Sequence, residues 1–454
     1  MEDIVMEDKR AETTMDRSGD YTTSAVPEDQ RKSGINLFST TAGWIICLST
    51  MFTGGTLITG LSFSRSMVAA VLGMLILTLF AAPLAGLGGR FGVSTTMLTR
   101  YALGKTGSNI FGIVNALLLG IGWFAWQAAF FGLTLSELLP NTFLVNPIVG
   151  ALIGGVLMTL TAMYGYNGIA VLSFIAVPLI IILSLFGSIA GIEQTGGWSA
   201  LLAKSASGTE FTLFAGITIV VGNAASGAVV LSDITRYAKS AKMGAVSAAG
   251  GYLVGGVFCI LCGGAMALGA NVPGIGTTPN LPRVMLTIGL GVGALIILIL
   301  AQWTTNTANV YSGALGVGSF LPFQHKSIVL VMGIVGTVLA ISNIYEYFVP
   351  FLNILGTVVP PIAGVILADY YVVNRLILKR DYSFGPGTKY AQFNWVAFVS
   401  IAGGAVLATL IGFFTPAFTS IVYAFILYIL LVVVCRGIGI PYSVGTYVEH
   451  ETGL

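Results

Sequence analysis

Apolar residues run in twelve stretches long enough to cross the ~30 Å hydrocarbon core of a bilayer, at about 36–62, 66–88, 108–136, 148–166, 168–191, 211–235, 243–270, 282–315, 327–344, 347–373, 393–414 and 416–435. The connections between them and the two ends hold nearly all of the charge, so the pattern predicts an all-α membrane protein of twelve spans. Two stretches are interrupted near mid-length by small residues. Thr53-Gly54-Gly55-Thr56 lies in the first, and Gly222-Asn223-Ala224-Ala225-Ser226-Gly227 lies in the sixth, about 170 residues on. In hydrocarbon every backbone N–H and C=O needs a partner, so paired interruptions are tolerated where the freed groups line a protected cavity. The spacing predicts two five-helix units, 34–192 and 211–373, with an odd number of spans inverting the second against the first. Two further helices fill 393–436. Paired breaks of this kind mark the central site of an inverted-repeat transporter.

Composition agrees with this class. Of 454 residues, 56% are hydrophobic and 8% charged, and the mean hydropathy of +0.91 lies outside the range of soluble globular chains. Residues 1–33 lack an apolar segment and read as a disordered cytoplasmic tail, not a signal peptide; 437–454 read as a second cytoplasmic tail. With twelve spans both termini share a side. Seventeen of the 20 Lys and Arg residues then fall on that side, all but Arg65, Lys204 and Arg283. That bias marks the side as cytoplasmic, and the reading is a multi-pass protein of the cell membrane, with the lipid bilayer as its surroundings. The net charge of +2 is spread in short juxtamembrane clusters, which implies no nucleic-acid partner. No obligate protein partner is evident. Cys259 and Cys262 form a C-x-x-C without a second pair, and they read as packing residues.

Asp, Glu, Lys and Arg are absent near mid-membrane; Glu137, Asp233, Glu346 and Asp369 fall near span ends. A charged substrate would meet a fixed counter-charge, so the substrate is expected to be neutral and polar. Trp123 offers a flat face for a heterocycle, and Gln127, one turn on, can donate and accept hydrogen bonds on the same helix face. Asn306 and Asn309, three apart, supply a candidate opposite edge. Together with Gly54, Gly55, Asn223, Ala224 and Ser226 at the two interruptions, these form the candidate substrate site. For a sodium ion, carbonyls freed near Phe52 and Gly55, with the hydroxyls of Thr304 and Thr305, form a neutral oxygen set. No nucleophile, acid–base pair or metal cluster can be assembled at that depth, and no phosphate-binding loop is present, so neither an enzyme nor an enzymatic cofactor is expected.

Several of these segments carry a family resemblance. Thr53-Gly54-Gly55-Thr56-Leu57 followed by Gly60-Leu61-Ser62, Gly122-Trp123-Phe124, Ser232-Asp233-Ile234-Thr235-Arg236-Tyr237, Thr304-Thr305-Asn306, and Pro360-Pro361-Ile362-Ala363-Gly364 running on to Asp369-Tyr370-Tyr371 resemble the nucleobase:cation symporter-1 family. The branch is that of cytosine and purine-cytosine permeases, and the resemblance spans about 34–435. It implies a LeuT-like fold of two inverted five-helix repeats plus two helices, and symport of a nucleobase-like ring with Na⁺, or alternatively H⁺, by alternating access. It also implies Trp123 as the stacking residue, Gln127 as a ring-binding amide, and the first break with Thr304 and Thr305 as the sodium region. Asn306 and Asn309 fit an Asn-x-x-Asn-x-Tyr-Ser pattern that continues through Tyr311 and Ser312. The chain departs from bacterial cytosine permeases at Ala224 (an aromatic there), Gly120 (an amide) and Ala301 (an asparagine). Those departures leave room for a larger or substituted ring, such as a purine or a thiamine-precursor pyrimidine; hydantoin and allantoin are further alternatives, and a non-transporting receptor is another.

Overall fold

The computed structural model describes residues 21–444, apart from 271–273, 276–277, 343 and 386–387. Every apolar stretch falls on a helix or on helices in succession. The first span is a bent pair, α1 (Gly34–Ile45) and α2 (Leu48–Gly60), meeting at 50°. There follow α3 (Phe63–Phe91), α4 (Thr95–Leu138), α5 (Pro147–Ala162), α6 (Gly165–Thr195), α7 (Leu213–Val229), α8 (Ala241–Ala270), α9 (Gly291–Gly318), α10 (His325–Ala340), α11 (Phe348–Ile377), α12 (Trp395–Leu410) and α13 (Pro416–Gly437). Among the described residues, β-structure is confined to a two-residue antiparallel pair, Gly274–Ile275 with Thr278–Pro279, and the single bridges Lys32–Ala238 and Phe393–Val444.

Local chemistry sets the helix ends. Ser33, Ser62, Ser94, Thr212 and Thr415 each accept a hydrogen bond from a first-turn N–H, satisfying a donor that the helix itself leaves free. Gly92, at φ 72°, terminates α3 in the left-handed conformation that glycine adopts without strain. Two groups of helices pack internally: α1/α2, α3, α7 and α8 in one, and α4, α5, α9 and α10 in the other. Helix α6 touches both groups, α11 packs on α7, and α12 and α13 pair and lean on α11.

Neither interruption lies where the small residues suggested. Thr53 to Thr56 sit inside α2, and the chain breaks earlier, at Ile46–Cys47. Gly222 to Gly227 are helical within α7, and the turn comes after them, at Val230–Leu231, before a short helix Ser232–Thr235. These glycines serve close packing. A Cβ on Gly54 would lie 1.9 Å from the Ile260 carbonyl oxygen of α8, and one on Gly222 would lie 1.9 Å from the Leu352 carbonyl oxygen of α11. Such small residues let membrane helices approach backbone to backbone.

The tail assignment also changes. Residues 1–20 and 445–454 lie outside the described residues, but 21–33 are seated on the body. The Arg31 guanidinium donates to the carbonyls of Gly89 and Ala238, both at 3.1 Å, and Val26 N–H donates to Gly92 O at 2.8 Å. Lys32 N–H donates to Tyr237 O at 2.7 Å. Carbonyls left open at the end of α3 and in the turn after Thr235 thus hold a segment whose composition alone suggested disorder.

Candidate functional site

Between the two helix groups lies a narrow cavity, reached by side chains from α1, α2, α4, α7, α8 and α9. Its first wall comes from the break. With the helix interrupted at Ile46–Cys47, the carbonyls of Gly43 and Trp44 lose their partners four residues on. They are met by α9: Thr305 Oγ1 donates toward Trp44 O (3.1 Å) and Gly43 O (3.3 Å), and Thr304 Oγ1 toward Gly43 O (3.2 Å) and Ala301 O (2.9 Å). Beyond the break, α2 begins without a side-chain cap, and Ser49 and Thr50 of its first turn line the cavity.

Helix α4 supplies the second wall. Its segment Ala116–Trp123 is a π-helix, with more residues per turn than the α-helix around it. Leu119, Trp123 and Gln127 reach the cavity from successive turns. Gln127 is buried; its Nε2 donates to Ser49 Oγ at 3.1 Å, and its Oε1 has no partner. Opposite, from α7, Asn223 donates through Nδ2 to Thr50 Oγ1 at 3.0 Å, leaving Oδ1 unpaired. From α9, Asn309 Oδ1 accepts the indole N–H of Trp44 at 2.7 Å, and its Nδ2 is unpaired. A buried amide atom without a partner costs free energy unless something else satisfies it. Three such atoms belong to residues that line one space beside Trp123, the pattern a polar ring-shaped ligand requires.

Of the residues singled out from sequence, Trp123, Gln127, Asn223, Ala224, Asn309 and Thr305 line this cavity. The others are placed elsewhere. Gly54 and Gly55 lie within α2. Phe52 stacks on Phe130 with ring centroids 4.3 Å apart and meets Phe348 edge-on; its carbonyl belongs to a helix and not to the break. Asn306 turns to α4 and α5, donating to Phe124 O at 3.1 Å and Met158 Sδ at 3.0 Å. Ser226 is buried off the cavity wall with its hydroxyl unpaired. Thr304 faces the broken end of α1, one residue from the cavity-lining Thr305. Gly227, at the end of the second small-residue run, also lines the cavity, and Trp44, Cys47, Ser49, Thr50 and Tyr252 line it without having been anticipated. Trp44 carried a usable signal, a polar N–H within an apolar span.

Trp123 adjoins an aromatic cluster: it meets Phe351 edge-on at 5.4 Å, and Trp126 packs against Phe130 and Phe348. Away from the cavity, Asp233 and Asp369 are each fully engaged. Asp233 accepts from Thr95 N–H (2.8 Å) and the Ser312 hydroxyl, and Asp369 accepts from Tyr382 and Tyr428. The described residues contain no cluster of His, Cys, Asp and Glu that would hold a metal ion.

Comparison with known proteins bears on this arrangement. A family profile described as permease for cytosine/purines, uracil, thiamine, allantoin matches residues 25–442. The cytosine permease of Escherichia coli (strain K12) is 31% identical over 396 residues, covering 86% of this chain and 89% of that protein. The hydantoin permease of Microbacterium maritypicum is 26% identical over 348 residues, covering 72% and 70%. Among solved structures, Mhp1, a nucleobase-cation-symport-1 family transporter in a closed conformation with bromovinylhydantoin bound, superposes with a TM-score of 0.77 at 20% identity, over 92% of this chain and 96% of that one.

Proposed function

The chain belongs to the family of permeases for cytosine and purines, uracil, thiamine and allantoin, and from that premise we propose that it is a secondary active symporter of a neutral nucleobase-like heterocycle. Membership makes it a multi-pass membrane transporter and not an enzyme. The observation that carries the substrate class is that Gln127, Asn223 and Asn309, each with an unpaired amide atom, line one cavity with Trp123. The ring stacks on Trp123 and satisfies these amides along its edges. Cytosine, a purine or a related pyrimidine fits this chemistry. Ala224, a small residue on the cavity wall, favours a larger or substituted ring, with hydroxymethylpyrimidine, hydantoin and allantoin as alternatives.

The coupling cation in this reading is Na⁺, held by the carbonyls of Gly43, Trp44 and Ala301 and the hydroxyls of Thr304 and Thr305. Each of the two hydroxyls already lies within hydrogen-bond reach of two of these carbonyls, and they share that of Gly43. A neutral oxygen set suits a hard monovalent ion, and no acid in it would carry a proton instead. Alternating access moves the two helix groups about this site, and both termini face the cytoplasm. The test is the melting temperature of the purified protein with purines, pyrimidines, hydantoin and allantoin, each with and without Na⁺, since a ligand that binds only the folded state raises it. A shift with one ring that grows with Na⁺ supports the reading. A shift indifferent to Na⁺ moves the coupling to protons, and no shift with any ring removes the substrate class.

A further inference from the structure

Trp44 is bonded to one helix at two points. Its carbonyl accepts from Thr305 Oγ1 at 3.1 Å, and its indole Nε1–H donates to Asn309 Oδ1 at 2.7 Å. Thr305 and Asn309 are four residues apart and share a face of α9. Trp44 is 4% exposed, so it is held by packing as well as by these two bonds.

An indole N–H can only donate. The Asn309 amide therefore has one orientation: its oxygen faces Trp44, and its NH2, in a residue that lines the cavity, is left without a partner. Gln127 and Asn223 are held differently. Each leans on a hydroxyl, Ser49 Oγ or Thr50 Oγ1, and a hydroxyl both donates and accepts, so these amides can turn to suit a ligand.

We propose that Trp44 is a positioning residue that sets the hydrogen-bond polarity of the substrate site. It locks Asn309 as a donor, so the transported ring carries an acceptor, a carbonyl oxygen or an unprotonated ring nitrogen, on the edge facing α9. The edge facing Gln127 and Asn223 is read permissively. This inference rests on the cavity being the substrate site.

The test is a double-mutant cycle on the dissociation constant of whichever ring stabilises the wild type most, at saturating Na⁺. The proteins are wild type, Trp44→Phe, Asn309→Ala and the double variant. Each single variant is expected to bind about tenfold more weakly, the scale of one buried hydrogen bond, and the double variant no more weakly than Asn309→Ala. Analogues of the same ring with one acceptor removed at a time should lose about tenfold at one position with wild type and nothing there with Asn309→Ala. Additive losses in the cycle, near a hundredfold in the double variant, would show that Trp44 acts independently of Asn309. An unchanged constant in Trp44→Phe would overturn the proposal equally. Where Trp44→Phe does not yield folded protein, benzothienylalanine at the same position keeps the bicycle and removes the N–H alone. A wild type that binds none of the rings fails at the first step and takes the substrate reading with it, so the two failures are distinguishable.

Discussion

Substituting Gly54 by alanine distinguishes a ligand-binding glycine from a packing glycine. In an unpacked helix, Gly→Ala stabilises by about 1 kcal/mol. Here the new Cβ would lie 1.9 Å from Ile260 O and 2.9 Å from Gly264 N, against ordinary contact beginning at 3.4 Å. Both atoms are backbone of α8, so no side-chain rotation relieves the overlap, and α2 and α8 must separate by about 1.5 Å. Separation also loosens the next contact along the seam, where Met51 O stands 2.2 Å from the Cβ position of Gly263. Overpacking of this kind costs about 1–3 kcal/mol, and a clash against backbone belongs at the upper end, so the variant loses about 2 kcal/mol after the helix gain. The assay is a melting curve of purified protein followed by size-exclusion chromatography, with ring binding measured on the folded fraction below the transition. The expected result is a melting temperature lower by roughly 2 °C with the dissociation constant within about twofold of wild type. A variant that melts like wild type but no longer binds would refute the packing account and return Gly54 to the site.

Further tests address the cavity and its surroundings. Trp123→Ala removes the stacking face and should weaken ring binding by about 2 kcal/mol, roughly 30-fold, in a titration of detergent-solubilised protein; retained affinity would take Trp123 out of the site. Thr305→Ala deletes a hydroxyl directed at Trp44 O and Gly43 O, so the Na⁺ concentration giving half-maximal stabilisation should rise about tenfold, with substrate affinity at saturating Na⁺ less affected. An identical Na⁺ titration would place the cation elsewhere. Arg31→Ala removes the donor to Gly89 O and Ala238 O and should make chymotrypsin cleavage at Tyr21 several-fold faster, as the segment detaches locally; an unchanged cleavage rate would mean that other contacts hold it.

What was legible in the sequence follows from what hydrocarbon enforces. The positions of the spans could be read because every crossing segment must be apolar and helical. The polar and aromatic side chains at mid-span, Trp123, Gln127, Asn223 and Asn309, stood out because each costs free energy unless used. Backbone detail was not legible. Glycine marks both a break and a close helix contact, and Gly54 and Gly222 proved to be contacts. The actual break at Ile46–Cys47 contains neither Gly nor Pro and is stabilised from outside, by Thr304 and Thr305 on a helix some 260 residues away. The π-helix at Ala116–Trp123 is written in apolar residues that would suit an α-helix equally. Asn306 illustrates a limit of spacing arguments: three residues before Asn309, it is rotated by about 60° around the helix, enough to face α4 and α5 instead of the cavity.

The claim on which the account turns is ion-coupled movement of a neutral ring, and proteoliposome uptake tests it most directly. Purified protein is reconstituted, and accumulation of radiolabelled adenine, cytosine, hydroxymethylpyrimidine, hydantoin and allantoin is followed under an imposed inward Na⁺ gradient, under an imposed pH gradient, and under neither. The account predicts that at least one ring accumulates above its external concentration with the Na⁺ gradient, and that accumulation collapses when the gradient is dissipated. Failure of every ring to accumulate under either gradient, from protein that melts cooperatively, would contradict it.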